Sequence, residues 1–209
     1  MNIYHLGRNN TGMDDRRKAG FLIFIGGAIF LLGLHMAEIL YPGYSVSQNY
    51  ISDLGVGPEP SAMLFNGSLF LFGLLGLTGS YFLWRDGADR VVPVLLAISS
   101  IGAMGVGIFH EYVVAYHNTS ALLAFLFAAL TALLSYRLVG RPLGYLSAAL
   151  GLMSMGAIVF ANLGYDLGLG VGGIERMILY PAFIWMIGLG ALLASRVCVT
   201  GSAVTEQAR

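Results

Sequence analysis

The sequence predicts an all-α polytopic membrane protein, with six transmembrane helices in one bundle and both termini cytoplasmic. Three observations carry that expectation. Of 209 residues, 57% are hydrophobic and only 11% charged, against roughly 25% charged in an average soluble domain. Six apolar runs reach the ~20 residues that a bilayer-spanning helix needs. Lys and Arg gather on one side of those runs. A soluble enzyme and a disordered chain are excluded by the apolar content. No nucleic-acid partner is expected, because eleven Lys and Arg are matched by eleven Asp and Glu. The single Cys198 rules out an intramolecular disulfide and a cysteine metal cluster.

The spans read, in order, Gly20–Tyr41, Ser61–Trp84, Val91–Val113, Thr119–Leu138, Pro142–Gly164 and Ile174–Ser195. The first is too long for the roughly 7 to 15 apolar residues of a secretory signal, and no A-x-A cleavage pattern follows it. The second and third spans, and the fourth and fifth, are joined by a few residues each, which makes them antiparallel hairpins. The longer connection 42–60 opens on Pro42 and Gly43 and closes on Gly55, Gly57, Pro58 and Pro60. It joins two spans rather than two domains, so residues 1–209 read as a single membrane domain. Within it, 1–19 is a cytoplasmic N-terminal segment, 20–195 the bundle and 196–209 a cytoplasmic tail.

The cations orient the bundle. Arg8, Arg16, Arg17, Lys18, Arg85, Arg90, Arg137, Arg141, Arg196 and Arg209 share one face, which the positive-inside rule makes cytoplasmic. The exception is Arg176, at the outer start of the last span. Glycines inside the spans (Gly26, Gly27, Gly102, Gly105, Gly107, Gly188, Gly190) read as close helix packing through small residues. No internal repeat is visible, which weakens an inverted-repeat transporter reading.

With orientation set, Glu38, Asp53, Glu59, Glu111, Asp166 and Glu175, with His35, His110, His117 and Arg176, fall on the outer side. Ionisable groups inside a span cost several kcal/mol and usually face a bundle interior or a wet cavity. His35 lies about 9 Å below Tyr41 at 1.5 Å per residue, with Glu38 one turn above it, and the two read as one polar patch. Residues 48–55 resemble a short re-entrant or interfacial helix, on which Asn49 and Asp53 share a face; a solvated loop with an Asp cap is the other reading. Asn66, inside the second span, needs several hydrogen-bond partners. His110 and Glu111 end the third span, and His117 precedes Asn118 and Thr119, which resemble an N-cap for the fourth. The spacing is not HExxH, but three histidines with Asp53 would suffice for zinc. Glu175, Arg176 and Tyr180 open the last span, where Arg176 orients a carboxylate, grips an anionic headgroup or closes a helix-end salt bridge.

The residues Ser47, Asn49, Tyr50, Ile51, Ser52, Asp53, Leu54 and Gly55, the pair His110–Glu111 with His117, and Gly173-Ile174-Glu175-Arg176 leading to Tyr180-Pro181 and Trp185 together resemble a prokaryotic membrane family known as domain of unknown function 998. The resemblance covers essentially all six spans. It implies that these outer-side polar residues belong together in a six-helix bundle, and it supplies no activity.

Convergent histidines and carboxylates in a low-dielectric bundle are the equipment of acid–base catalysis. The expected function is an outward-facing hydrolase of the cell membrane, a glycosidase working with a carboxylate pair on a lipid-linked or small sugar and needing no cofactor. Asp53 and Glu111 are the expected pair, with Glu38 and Glu175 as substitutes. His35 and His110 tune them; Asn49, Ser52, Asn66, His117, Arg176 and Tyr180 contact substrate. The alternatives are a zinc-dependent lipid amide or ester hydrolase and a non-enzymatic transporter or sensor. The near absence of ionisable residues from the inner half counts against transport.

Overall fold

The computed structural model of the chain describes residues 14–195. Arg8, Arg196, Cys198, Arg209, most of the segment 1–19 and the whole tail 196–209 lie outside the described residues. The main elements are α1 (Asp15–Ile39), α2 (Glu59–Asp86), α3 (Val91–Ile108), α4 (Val114–Leu134), α5 (Leu143–Asn162) and α6 (Gly170–Ala194). Short 3-10 helices lie at Ser52–Val56 and Ser135–Arg137. All six α-helices are long and apolar enough to cross a membrane.

Local chemistry sets the boundaries, and several differ from the sequence reading. Asp14 accepts the Arg17 N–H at 2.7 Å, so α1 starts at Asp15, five residues before Gly20. Gly87 ends α2 in the left-handed conformation, φ 80°, which glycine adopts without steric penalty. The third helix stops at Ile108, five residues short of Val113, because Phe109 turns extended and the Val113 N–H closes a turn on the His110 carbonyl at 2.9 Å. His110 and Glu111 therefore sit in a turn, not on a helix. The fourth helix begins at Val114, which places His117, Asn118 and Thr119 inside its first turns and removes the expected N-cap. The sixth begins at Gly170, four residues before Ile174.

Successive helices pack side by side, α6 closes against α1, and α4 reaches across to α6. Glycine makes the closest crossings, as in small-residue membrane packing. A Cβ on Gly20 would strike the Ala194 backbone, on Gly102 that of Ala124, on Gly151 that of Leu133 and on Gly190 that of Phe24. Gly188 instead meets open space. Two apolar clusters fill much of the interior. One, with Ile23, Leu83, Val92, Leu96 and Leu189, lies toward the cation-bearing end. The other, with Phe30, Leu34, Leu54, Phe65 and Phe183, lies toward the end that carries the 40–58 connection.

Among the described residues every cation except Arg176 lies at the first of these ends. There Arg16 donates to the Leu138 carbonyl at 3.2 Å and Arg17 to that of Ala194 at 3.3 Å. Asp89 is buried and accepts from the N–H groups of Val91 (2.8 Å) and Val92 (2.7 Å), capping α3. Arg137 Nε reaches it at 2.6 Å. Burial alone would raise the Asp89 pKa, but the Val92 N–H and the Arg137 guanidinium outweigh it and hold the carboxyl below its ordinary value. A depressed carboxyl contributes stability above its unfolded pKa, and that contribution is lost as pH falls through the folded pKa. Asp89→Ala is therefore expected to lower stability at neutral pH by about 0.5–2 kcal/mol, the usual cost of a lost cap. The gap to the wild type should narrow once pH drops below the ordinary carboxyl value of 3.8. Thermal unfolding in micelles at neutral and strongly acid pH checks this; an undiminished gap in acid would remove the ionic explanation.

Candidate functional site

The connection between α1 and α2 folds back onto the helix ends instead of lying in solvent. Pro42 and Gly43 (φ 80°) turn the chain out of α1. Asn49 then accepts the Ser45 N–H at 3.0 Å and donates from Nδ2 to Asp53 Oδ2 at 3.0 Å. Tyr50 N–H donates to the same oxygen at 3.0 Å. The predicted meeting of Asn49 and Asp53 is thus present, on a capped turn leading into the 3-10 helix rather than on an α-helix. Ile51 and Leu54 are buried and anchor the segment in the apolar cluster below. From α2, Asn66 Nδ2 donates to the Gly55 carbonyl at 2.9 Å, and Ser61 Oγ donates to that of Ala37 at 3.0 Å.

The sixth helix supplies the clamp. Arg176 is 5% exposed and donates to Glu38 at 2.6 Å, to the Tyr44 hydroxyl at 2.9 Å and to the carbonyls of Val46 (2.8 Å) and Gly172 (3.0 Å). Its Nε has no partner. Tyr44 hands its own proton to the Tyr50 carbonyl at 2.9 Å. Burial pushes the Tyr44 phenol up to about 12, against the lowering effect of Arg176, so it remains neutral and able to donate at physiological pH. Gly172 allows the close approach: its N–H donates to the Ser47 carbonyl at 3.0 Å, and a Cβ there would strike the carbonyls of Asn49 and Val46.

One residue before the clamp, Glu175 accepts the Ile51 N–H across 124 residues of chain. Asp53 and Glu111 are close enough for their charges to act on it. Glu175 also faces two spaces. The first is a cavity inside the helix ring with about 70 Å³ open to the centres of water-sized molecules. Its lining is almost wholly apolar, interrupted by Ser52, Ser99, Ser100, His117 and Glu175. The second is a wider, more open vestibule of about 300 Å³ between α4, α5 and α6, with Tyr50, Tyr165 and Asp166 at its rim. Phe125, Glu175 and Ile178 line both.

A family model described as a protein of unknown function (DUF998) matches residues 24–192. The chain belongs to that family. The DUF998 match runs from within α1 to near the end of α6, so it takes in every element that builds the site. No curated protein and no solved structure matches the chain.

In this DUF998 chain the expected residues sort into three groups. Ser52, His117 and Glu175 line the cavity, while Asp53, with its partner Asn49, and Glu111 lie near enough for their charges to act on Glu175. His117 is buried and its Nδ1–H donates to the Phe109 carbonyl at 2.8 Å, leaving Nε2 as the acceptor of the neutral ring. Glu38 and Arg176 are paired with one another, and Asn66 braces the segment from below. The remaining three stand apart. His35 is exposed on the outside of α1 and donates to its own helix at the Leu31 carbonyl, 3.0 Å away. The proposed patch with Glu38 does not form, since only Glu38 turns toward α6. His110 is exposed in the 109–113 turn, and Tyr180 packs against the apolar cluster. Among the described residues no three His, Cys, Asp or Glu side chains converge as metal ligands, so the three-histidine zinc arrangement is not assembled. Tyr44, Gly172, Tyr165 and the serines Ser99 and Ser100 join the site without a sequence signal that would have singled them out.

Proposed function

We propose that the chain is a membrane-embedded hydrolase working by carboxylate chemistry, most specifically a glycosidase whose site opens to the outer leaflet. The observation that carries this reading is the position of Glu175, shared by an enclosed apolar cavity and a more open vestibule rimmed by Tyr50, Tyr165 and Asp166, with Asp53 and Glu111 near enough for their charges to act on it. A glycoside of an apolar alcohol places its scissile oxygen at the boundary between tail and sugar, where Glu175 stands. Glu175 then gives its proton to the leaving oxygen as the C–O bond breaks. Asp53, held by the Asn49 amide and the Tyr50 N–H, supplies the second carboxylate. It takes a proton from the water that attacks the anomeric carbon, or bonds to that carbon itself, in which case water deprotonated by Glu175 then cleaves the glycosyl–Asp53 ester and frees the sugar; the separation of the two carboxyls selects between these courses. Glu111 adds negative charge that favours the oxocarbenium-like transition state. Asp53 and Glu175, rather than Asp53 and Glu111, are thus the favoured pair.

Release of sugar from a panel of aryl glycosides and glycolipids by the purified chain in nanodiscs tests the reading. A panel in which nothing is cleaved removes it. The outward orientation is tested separately, in a Cys198→Ser background, by labelling intact cells with an impermeant thiol reagent. Glu59→Cys should label and Ala88→Cys should not; the reverse pattern overturns the topology.

A further inference from the structure

The apolar cavity is deeper than a hydrolytic site for a small sugar requires. On α6 its lining runs from Glu175 to Met186, eleven residues, and on α4 from His117 to Ala128, again eleven. At 1.5 Å per residue both give a depth of about 16 Å, roughly half of a ~30 Å hydrocarbon layer. The deepest lining residues, Ile23, Leu96 and Met186, belong to the buried cluster that also holds Leu83, Val92 and Leu189, none of which lines the space, so it is read as a blind tube and not a path across. Its free space of about 70 Å³ along that depth is too narrow for two chains side by side. The charge at this end is acidic: Glu175 lines both the cavity and the vestibule, Asp166 stands at the vestibule rim, and Asp53 next to the lining residue Ser52 and Glu111 act on Glu175, while the one Lys or Arg at this end among the described residues, Arg176, is spent on Glu38.

From these features we infer that the tube holds the single hydrocarbon chain of an amphiphile whose neutral, hydroxyl-bearing head lies in the vestibule beside Glu175. The chain is dehydrated along its length, which relative to water favours binding by about fourfold per buried CH₂. About a dozen carbons fill the depth, since the zigzag of a saturated chain advances only ~1.3 Å per ~1.5 Å carbon–carbon bond. Hydroxyls can donate to the carboxylates at the mouth, whereas a phosphate head would meet like charge with no free cation to offset it. The inference deepens the glycosidase reading by naming its substrate class, and it rests on that reading for the chemistry though not for the binding.

The test uses the full chain in nanodiscs and a dodecyl glucoside carrying a photoreactive diazirine at mid-chain and an alkyne tag, below its micellar concentration. Crosslinks should map to cavity residues such as Ala103, Ala124 and Phe183. Dodecyl glucoside should compete and dodecyl phosphate should not. Ala128→Phe shortens the blind end, so affinity for the dodecyl compound should fall more than about tenfold while the octyl homologue changes less than about twofold. Ala128→Leu, a smaller intrusion, should shift the same preference in the same direction if the phenylalanine variant fails to fold. Crosslinks confined to lipid-facing residues such as Ile101 and Leu122 would overturn the inference, as would equal competition by the phosphate or an unchanged chain-length preference. Binding measured in the Glu175→Gln protein separates the two proposals. A chain that binds the probe but cleaves no glycoside loses only the glycosidase reading; one that cleaves soluble glycosides without taking up the probe loses only the tube.

Discussion

Glu175→Gln is expected to abolish glycoside turnover, lowering kcat by about 10²–10⁴-fold, the usual contribution of a positioned general acid. The amide keeps the volume of the carboxyl and can still meet the Ile51 N–H through its own oxygen, so the fold of the 42–58 segment should survive. It cannot donate a proton to a leaving oxygen and then take one back. The loss should therefore appear in kcat, with KM for a long-chain glycoside moving little, because the apolar lining proposed to bind the tail is untouched. Asp53→Asn should show the same division, whereas Glu111→Gln, which removes charge without removing a reacting group, should cost less than either. Aryl glycosides with good leaving groups sharpen the assignment. Their departure needs little protonation, so kcat/KM should largely recover in Glu175→Gln and not in Asp53→Asn. Near-normal kcat in both variants on all substrates ends the carboxylate mechanism and leaves the cavity without an assigned chemistry.

The six helices were legible because hydropathy over ~20 residues is a property of the local sequence and the bilayer fixes the length it must reach. Their ends were less so. Phe109 and Val113 are apolar and read as a continuation of the third span, yet the chain direction changes at Phe109, and an apolar side chain does not record a turn that its backbone makes. The Asn49–Asp53 contact was visible because four residues bring two side chains together on any helical or capped turn. By contrast, the pairing of Glu38 with Arg176 spans 138 residues of chain and depends on α6 closing against α1. No local pattern contains that closure. The same fact explains His35: three residues from Glu38 on α1, it turns to the outside because the ring places only one of the two positions toward α6. The vestibule was hidden for a related reason, as Tyr50, Tyr165 and Ile174 meet only once the α1–α2 and α5–α6 connections are folded over one end.

Arg176→Ala should be the most destabilising substitution in the site, by about 3–5 kcal/mol, the range for removing one partner of a buried ion pair. The alanine leaves the Glu38 carboxylate with no counter-charge, and Glu38 is itself largely covered, its side chain 17% exposed. It also strips donors from the Val46 carbonyl and the Tyr44 hydroxyl, both on the connection between α1 and α2. Arg176→Lys should recover part of the loss but not all, since one ammonium cannot reproduce a planar fork that reaches Glu38 and two stretches of backbone at once. Glu38→Gln in the Arg176→Ala background should restore stability relative to Arg176→Ala alone, because it removes the unpaired charge while keeping the side-chain volume. Two measurements follow the effect: thermal unfolding in micelles, and the rate of proteolytic nicking within residues 42–58. The clamp predicts that nicking accelerates in Arg176→Ala even below the unfolding temperature, since Gly172 and Ile51 alone would then tie the segment to α6. An Arg176→Ala protein that melts with the wild type and resists nicking would mean that Glu175, not Arg176, holds the segment in place, and Glu175→Gln would then be the variant in which the loop opens.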